Sequence, residues 1–165
     1  MTTEYRKATV EDLEIIWDYQ IAINPGDSNW IRWKKQFIAD NQSGAAATFV
    51  AVVDGEPVGE GTLLFSPDCR AVRGRLELAD GKNVTNINAL RIRKAYEGKG
   101  YISALVKFME SYAREHGYGQ ITIGVEAVES RNLGIYLHWG YDRFVMSEGQ
   151  GEELTLYYAK EIKKQ

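Results

Sequence analysis

The chain has 165 residues, 44% of them apolar and 26% charged, with a formal net charge of −3. That length is enough for one domain with a sizeable core, and the composition excludes a disordered or fibrous chain. The slightly acidic balance lacks the basic footprint that nucleic-acid binding needs, and the basic residues are spread along the sequence. Cys69 is the sole cysteine, which excludes an internal disulfide and a cysteine-rich metal site. No apolar run approaches the roughly 18 residues of a membrane span, and the polar start MTTEYRKAT is unlike a signal peptide, so a cytoplasmic protein is expected.

A first strand is predicted near Glu4 to Ala8. Thr9 with Asp12 three residues on has the form of a capping box, and Leu13, Ile16, Trp17 and Ile21 follow at helical spacing until Pro25-Gly26. A second helix from Ser28 to Asp40 carries Trp30, Trp33 and Phe37 on one face, a stripe that reads as core or as the wall of a substrate cleft. Thr48 to Val53 and Val58 to Phe65 read as strands joined across the two-residue turn Asp54-Gly55. The stretch from Ser66 to Asn83 is aperiodic and reads as a ragged hairpin or as a loop over a site. Asn86 to Ile92 is the next strand, and a helix from Tyr101 to His116 buries Ile102, Leu105, Val106, Met109, Tyr112 and Ala113. A strand from Gln120 to Ala127, a short helix from Asn132 to Trp139 and strands at Arg143 to Met146 and Glu153 to Lys160 complete the chain. There is no repeat, low-complexity tract or linker, so residues 1–165 are read as a single domain.

The most informative stretch is RIRKAYEGKGYISALVKFME, Arg91 to Glu110, in which a strand gives way to a glycine turn and then a helix. Unpaired N–H groups and the positive end of the helix favour an anion there, and Gly98 and Gly100 tolerate positive φ and close approach by a diphosphate. A tight turn without a ligand is the plain alternative. Two other nucleotide motifs fit poorly. A P-loop needs Ser or Thr after its lysine, whereas Lys99 precedes Gly100; a dinucleotide fingerprint on Gly98, Gly100 and Ser103 would leave too little chain for a doubly wound sheet.

RIRKAYEGKGYISALV resembles the cofactor-binding motif of the GCN5-related N-acetyltransferase (GNAT) superfamily, and IYLHWGYDRF resembles its second signature. The similarity covers roughly Asn86 to Phe144, and the order of the other elements matches. It implies an α/β fold with a mixed, mostly antiparallel sheet flanked by helices and splayed between the fourth and fifth strands. It further implies acetyl-CoA as donor and direct transfer to a primary amine, either a small molecule or a protein N-terminus. By the same resemblance, Leu90, Arg91 and Ile92 offer main-chain groups to pantetheine. The amides of Gly98, Lys99, Gly100, Tyr101, Ile102 and Ser103 hold the diphosphate, and Tyr136 stands beside the CoA sulfur. Relatives are often dimers, and their variable parts, here Trp30, Trp33 and the Ser66 to Asn83 segment, shape the acceptor pocket. Three positions depart from the family pattern: Glu97 replaces Arg or Gln, Ile102 replaces Gly or Ala, and Glu129 replaces an asparagine for which the nearby Asn132 can substitute.

An amine with a pKa near about 10 is mostly protonated at neutral pH, so transfer calls for a base or a water chain. Where many relatives carry a glutamate on the fourth strand, this chain has Asn88; an amide there, or at Asn86, is able only to position a water. Glu60 and Glu126 remain as candidate bases or surface acids, and Glu126 is chosen because the end of its strand faces the cleft in the family. A thiolate leaves easily, and Tyr136 is the candidate acid for it, or else a packing residue of the short helix. Backbone N–H groups of the fourth strand would stabilise the oxyanion. Cys69 has no neighbouring histidine to activate it, and His116 and His138 are isolated, so no covalent carrier and no metal are expected. The rival reading is a non-catalytic acyl-CoA-binding or regulatory module with the same fold.

Overall fold

In the computed structural model, which describes residues 1–162, the predicted capping box opens the first helix. Asp12 N donates to Thr9 Oγ1 at 3.1 Å, and Thr9 N donates to Asp12 Oδ2 at 2.8 Å. The elements in chain order are β1 (Thr3–Lys7), α1 (Val10–Ile23), α2 (Asn29–Ser43), β2 (Ala46–Val53), β3 (Glu56–Leu64), β4 (Val84–Ile92), α3 (Tyr101–Glu115), β5 (Gln120–Glu126), α4 (Ser130–His138), β6 (Arg143–Glu148) and β7 (Thr155–Glu161). The strands form one seven-stranded sheet in the order β1-β2-β3-β4-β5-β7-β6, mostly antiparallel, with β4 and β5 parallel. The described chain divides into two compact units: Met1–Leu63 with Ala89–Ser111, and Leu64–Asn88 with the described residues from Tyr112.

In the first unit, strand alternation sends Val50 and Val52 to one face of the sheet, where they pack with Leu13, Ile16 and Trp17 of α1. Trp30, Trp33, Phe37 and Ile38 of α2 lie against this cluster, each partly buried, so the aromatic stripe belongs to the core's margin. Phe49 points to the other face and meets Phe108 of α3, with ring centroids 5.8 Å apart. On that same face β3 passes close under α3: a Cβ on Gly61 would lie 2.8 Å from Met109 Sδ and 2.9 Å from Leu90 Cδ1. The β2–β3 turn has positive φ at both Asp54 and Gly55, as a two-residue hairpin requires.

In the second unit, β5 pairs antiparallel with β7, and β7 with β6. Buried polar side chains are joined across it: Asn86 Nδ2 donates to Thr122 Oγ1 at 2.9 Å, and Thr122 Oγ1 donates to the Leu78 carbonyl at 2.8 Å. The Ser66 to Asn83 segment forms successive turns, not the hairpin, and buries Cys69, Val72, Leu78 and Ala79. Arg75 holds it by donating to the carbonyls of Val72 (2.8 Å) and Ala71 (2.7 Å) and by pairing with Glu148, which also accepts from Arg73 and Tyr157.

Several predicted boundaries move. β4 begins at Val84 instead of Asn86, because the polar Thr85 and Asn86 are buried and bonded in the sheet, which hides the strand from an apolar pattern. α4 starts at Ser130. β6 runs on to Glu148, and Glu153 lies in a one-turn 3₁₀ segment, Gly151–Glu153, ahead of β7. Gly149 permits that compact connection: its φ is +83°, and a Cβ there would sit 2.4 Å from the Glu153 carbonyl oxygen.

Asp80 terminates the irregular segment by accepting the backbone N–H groups of Lys82, Asn83 and Val84 on one oxygen at 2.8–2.9 Å. Burial opposes the charge, but these backbone bonds outweigh it and hold the Asp80 carboxyl below the ordinary range. Replacing Asp80 by Ala is expected to cost about 2 kcal/mol near neutral pH. A lowered carboxyl contributes stability above its unfolded pKa of about 3.9 and loses it as pH falls through the folded value, so the gap between the two proteins should narrow in acid. Urea melts across that range check this; a gap that stays constant in acid would contradict the assignment.

Candidate active site

β4 changes character along its length. Its parallel ladder with β5 runs from Val84↔Gln120 to Ile87↔Ile123. Two residues beyond, Ala89 has φ +52°, a conformation that a side chain makes costly and that marks a local kink in the strand. Leu90, Arg91 and Ile92 follow, half-buried, and Arg93 N donates to the Val58 carbonyl at 2.9 Å, so this end of β4 stays bonded to β3.

A 3₁₀ turn, Lys94–Tyr96, leads into Gly98, Lys99 and Gly100, all exposed. Both glycines have positive φ (+74° and +86°), and a Cβ on either would meet nothing within 4 Å among the described residues. Conformation, not crowding, therefore calls for glycine here, and the space above the turn is open. The first helical hydrogen bond of α3 is Ala104 N to the Gly100 carbonyl at 3.1 Å. Tyr101, Ile102 and Ser103 thus present first-turn N–H groups at the positive end of a 15-residue helix. Lys99 Nζ lies 5.9 Å from the centre of the Tyr96 ring, and the Tyr96 and Tyr101 rings are 6.2 Å apart. The exposed turn, the free helix start and the lysine suit a phosphate-bearing ligand. Ile102 and Ser103 are half-buried, and Glu97 is exposed to solvent.

The other candidate residues belong to the second unit. Tyr136 lies half-buried on α4, 5.7 Å between ring centres from Trp139. Burial, reinforced by the Glu129 carboxylate, pushes its hydroxyl above the ordinary tyrosine value, so it stays protonated near neutral pH and is a weaker acid than a free tyrosine. Asn132 is exposed and donates to Glu129 at 3.3 Å. Glu126 is exposed at the end of β5, opposite Thr155 of β7. Asn86 is buried and donates its amide to Thr122 Oγ1 at 2.9 Å, a bond that braces the sheet.

Glu60 corrects the reading of that residue as a surface acid. It is 5% exposed and accepts from Arg91 Nε at 2.8 Å. Burial pushes its carboxyl up, against the pull of Arg91 and Arg93. Sequence reasoning missed this pairing and the Arg73–Arg75–Glu148 network. The first had a legible signal: an acid between two glycines, Gly59 and Gly61, in an otherwise apolar strand, with Arg91 in the strand that follows.

Among the described residues, no helix is long and apolar enough to cross a membrane, and no group of three or more His, Cys, Asp or Glu is placed to hold a metal ion. Cys69 is 3% exposed, beyond the reach of a substrate as it stands.

A profile of the acetyltransferase (GNAT) family matches residues 11–141. The chain belongs to that family. Solved structures agree in fold. An N-acetyltransferase from Staphylococcus aureus Mu50 aligns with a TM-score of 0.70 at 18% identity, covering 99% of this chain and 100% of its own. The PaiA N-acetyltransferase from Thermoplasma acidophilum, in complex with coenzyme A, gives 0.64 at 18% identity, covering 96% and 99%. A ribosomal-protein-alanine N-acetyltransferase from Brucella melitensis gives 0.71 at 17% identity, again covering 96% and 99%. The comparison with curated proteins returns no match.

Proposed function

We propose that this chain, acting as one domain, transfers the acetyl group of acetyl-CoA to a primary amine by direct attack. The observation that carries the proposal is the open turn Gly98–Ser103 at the start of α3, in a chain of the GNAT family. Amides from Gly98 to Ser103 hold the diphosphate, with Lys99 beside them, and the main chain of Leu90 to Ile92 receives the pantetheine arm. The thioester supplies an acetyl carbon activated for attack.

The neutral amine forms a bond to that carbon and the carbon–sulfur bond breaks. Tyr136 gives its proton to the departing thiolate and is reprotonated from solvent. The proton lost by the attacking amine passes through water to Glu126, with Asn132 ordering the segment beside it. A thiol with a pKa of about 8.5 leaves with modest help, so Tyr136 accelerates the step without being indispensable. The lone buried Cys69 is in keeping with a reducing cytoplasm.

The acceptor is a small amine or a protein N-terminus, and the ribosomal-protein-alanine neighbour keeps the second in view. The test is release of CoA thiol in the presence of acetyl-CoA and a panel comprising a polyamine, an aminoglycoside, free amino acids and an N-terminal alanine peptide. Tyr136→Phe is expected to lower kcat about 10²-fold with acetyl-CoA binding intact. An unchanged kcat when chemistry limits the rate would remove Tyr136 from the mechanism. Acetyl-CoA binding without turnover of any amine would favour the non-catalytic reading suggested by Asn88 in the base position.

A further inference from the structure

Two arginines of β4, Arg91 and Arg93, are fixed in the same way. Each pairs with a carboxylate of β3 and lies over an aromatic ring of α1. Arg91 Nε donates to Glu60 at 2.8 Å, with its guanidinium carbon 4.7 Å from the centre of the Trp17 ring. Arg93 donates to Glu56 and lies 4.1 Å from the centre of the Tyr19 ring. A third ring, Trp30 of α2, is 5.1 Å from the Arg91 guanidinium carbon. Arg91 Nη2 is buried with no hydrogen-bond partner among the described residues, and the indole faces take the place of an acceptor.

The placement of these rungs is informative. They lie in the segment after Ala89, where β4 has passed the residues that pair with β5 and depends on β3 for its order. Leu90 lies on the opposite face, toward Met109 of α3, so successive side chains grip the strand from both sides. A strand held this way keeps its backbone N–H and C=O groups in one arrangement before any ligand arrives, which lowers the cost of binding.

We infer that Arg91 and Arg93 are positioning residues that preorganise the Leu90–Ile92 backbone for the acyl-CoA arm, so that their side chains set cofactor affinity without touching the cofactor. This rests on the reading of Leu90–Ile92 given above. Lysine keeps the charge near Glu60 but loses the flat stacking surface and the fixed fork, so Arg91→Lys falls between the wild type and Arg91→Met.

The test is calorimetric titration of acetyl-CoA into the wild type, Arg91→Met, Arg93→Met and Arg91→Lys, at a temperature where circular dichroism shows each protein folded. Amide exchange at Leu90 to Arg93 is followed in parallel, with β5 as the internal reference. The expected result is an increase in Kd of about tenfold for each methionine variant, partial recovery in Arg91→Lys, and faster exchange confined to the β4 segment. If Arg91→Met does not fold, Arg91→Lys and Arg93→Met carry the comparison. Wild-type binding with unchanged Kd in the folded variants, even with a lower Tm, overturns the clamp alone. Absence of wild-type binding overturns the clamp together with the acetyl-CoA reading beneath it.

Discussion

Glu60→Ala is expected to destabilise the protein by about 3 kcal/mol, because it leaves the Arg91 guanidinium without the carboxylate it pairs with in a largely buried setting. For a chain of this length that corresponds to a drop in Tm of roughly 6–12 °C. The pair is not a simple gain, since burying both ions costs free energy that their attraction only partly returns. Burial raising the Glu60 carboxyl against the pull of Arg91 is the same conflict seen in one group. Replacing both partners, Glu60→Ala with Arg91→Met, should therefore cost less than the sum of the single changes, by about 1–3 kcal/mol. Urea melts of the four proteins measure this directly. Additive losses would mean that the two residues act independently, contrary to the 2.8 Å contact.

Gly100→Val is the change with the largest expected effect on ligand binding. At φ +86° a β-branched residue is strained, and any relief rotates the amides that follow at the start of α3. Loss of affinity for acetyl-CoA of about thirtyfold, or about 2 kcal/mol, is expected. The apo protein should lose only a few degrees of Tm, because the turn is exposed and a Cβ there meets no atom of the described residues within 4 Å. Comparing the apo melt with the acetyl-CoA titration separates the two effects. Full affinity in a folded Gly100→Val protein would show that the phosphates do not rest on this turn.

The strands and helices with one apolar face were legible from spacing alone. The Thr9–Asp12 capping box and the Asp54-Gly55 hairpin stand as the pattern requires, and of the helical stripe Leu105, Val106, Met109 and Ala113 are buried while Ile102 and Tyr112 are half-buried, because local geometry fixes each. What escaped were features made by contacts between distant residues. Thr85, Asn86 and Thr122 look polar in sequence and are buried because they satisfy one another or the Leu64 and Leu78 carbonyls. The Ser66 to Asn83 segment has no period since turns, three Asp80 hydrogen bonds and the Arg75 side chain order it. The glycine turn could be found from EGKG, but the arginine clamp behind it depends on β3, α1 and α2 meeting β4, which no short window contains.

The most direct measurement is the melting temperature of the wild-type protein with saturating acetyl-CoA, with CoA and with ATP. A ligand at about 100 times its Kd stabilises by about 2.7 kcal/mol, a shift of roughly 5–10 °C for a chain of this length. A shift of that size with acetyl-CoA and CoA but not with ATP is the predicted result. No shift with either CoA species would contradict the assignment of Gly98–Ser103 as the site that holds the donor.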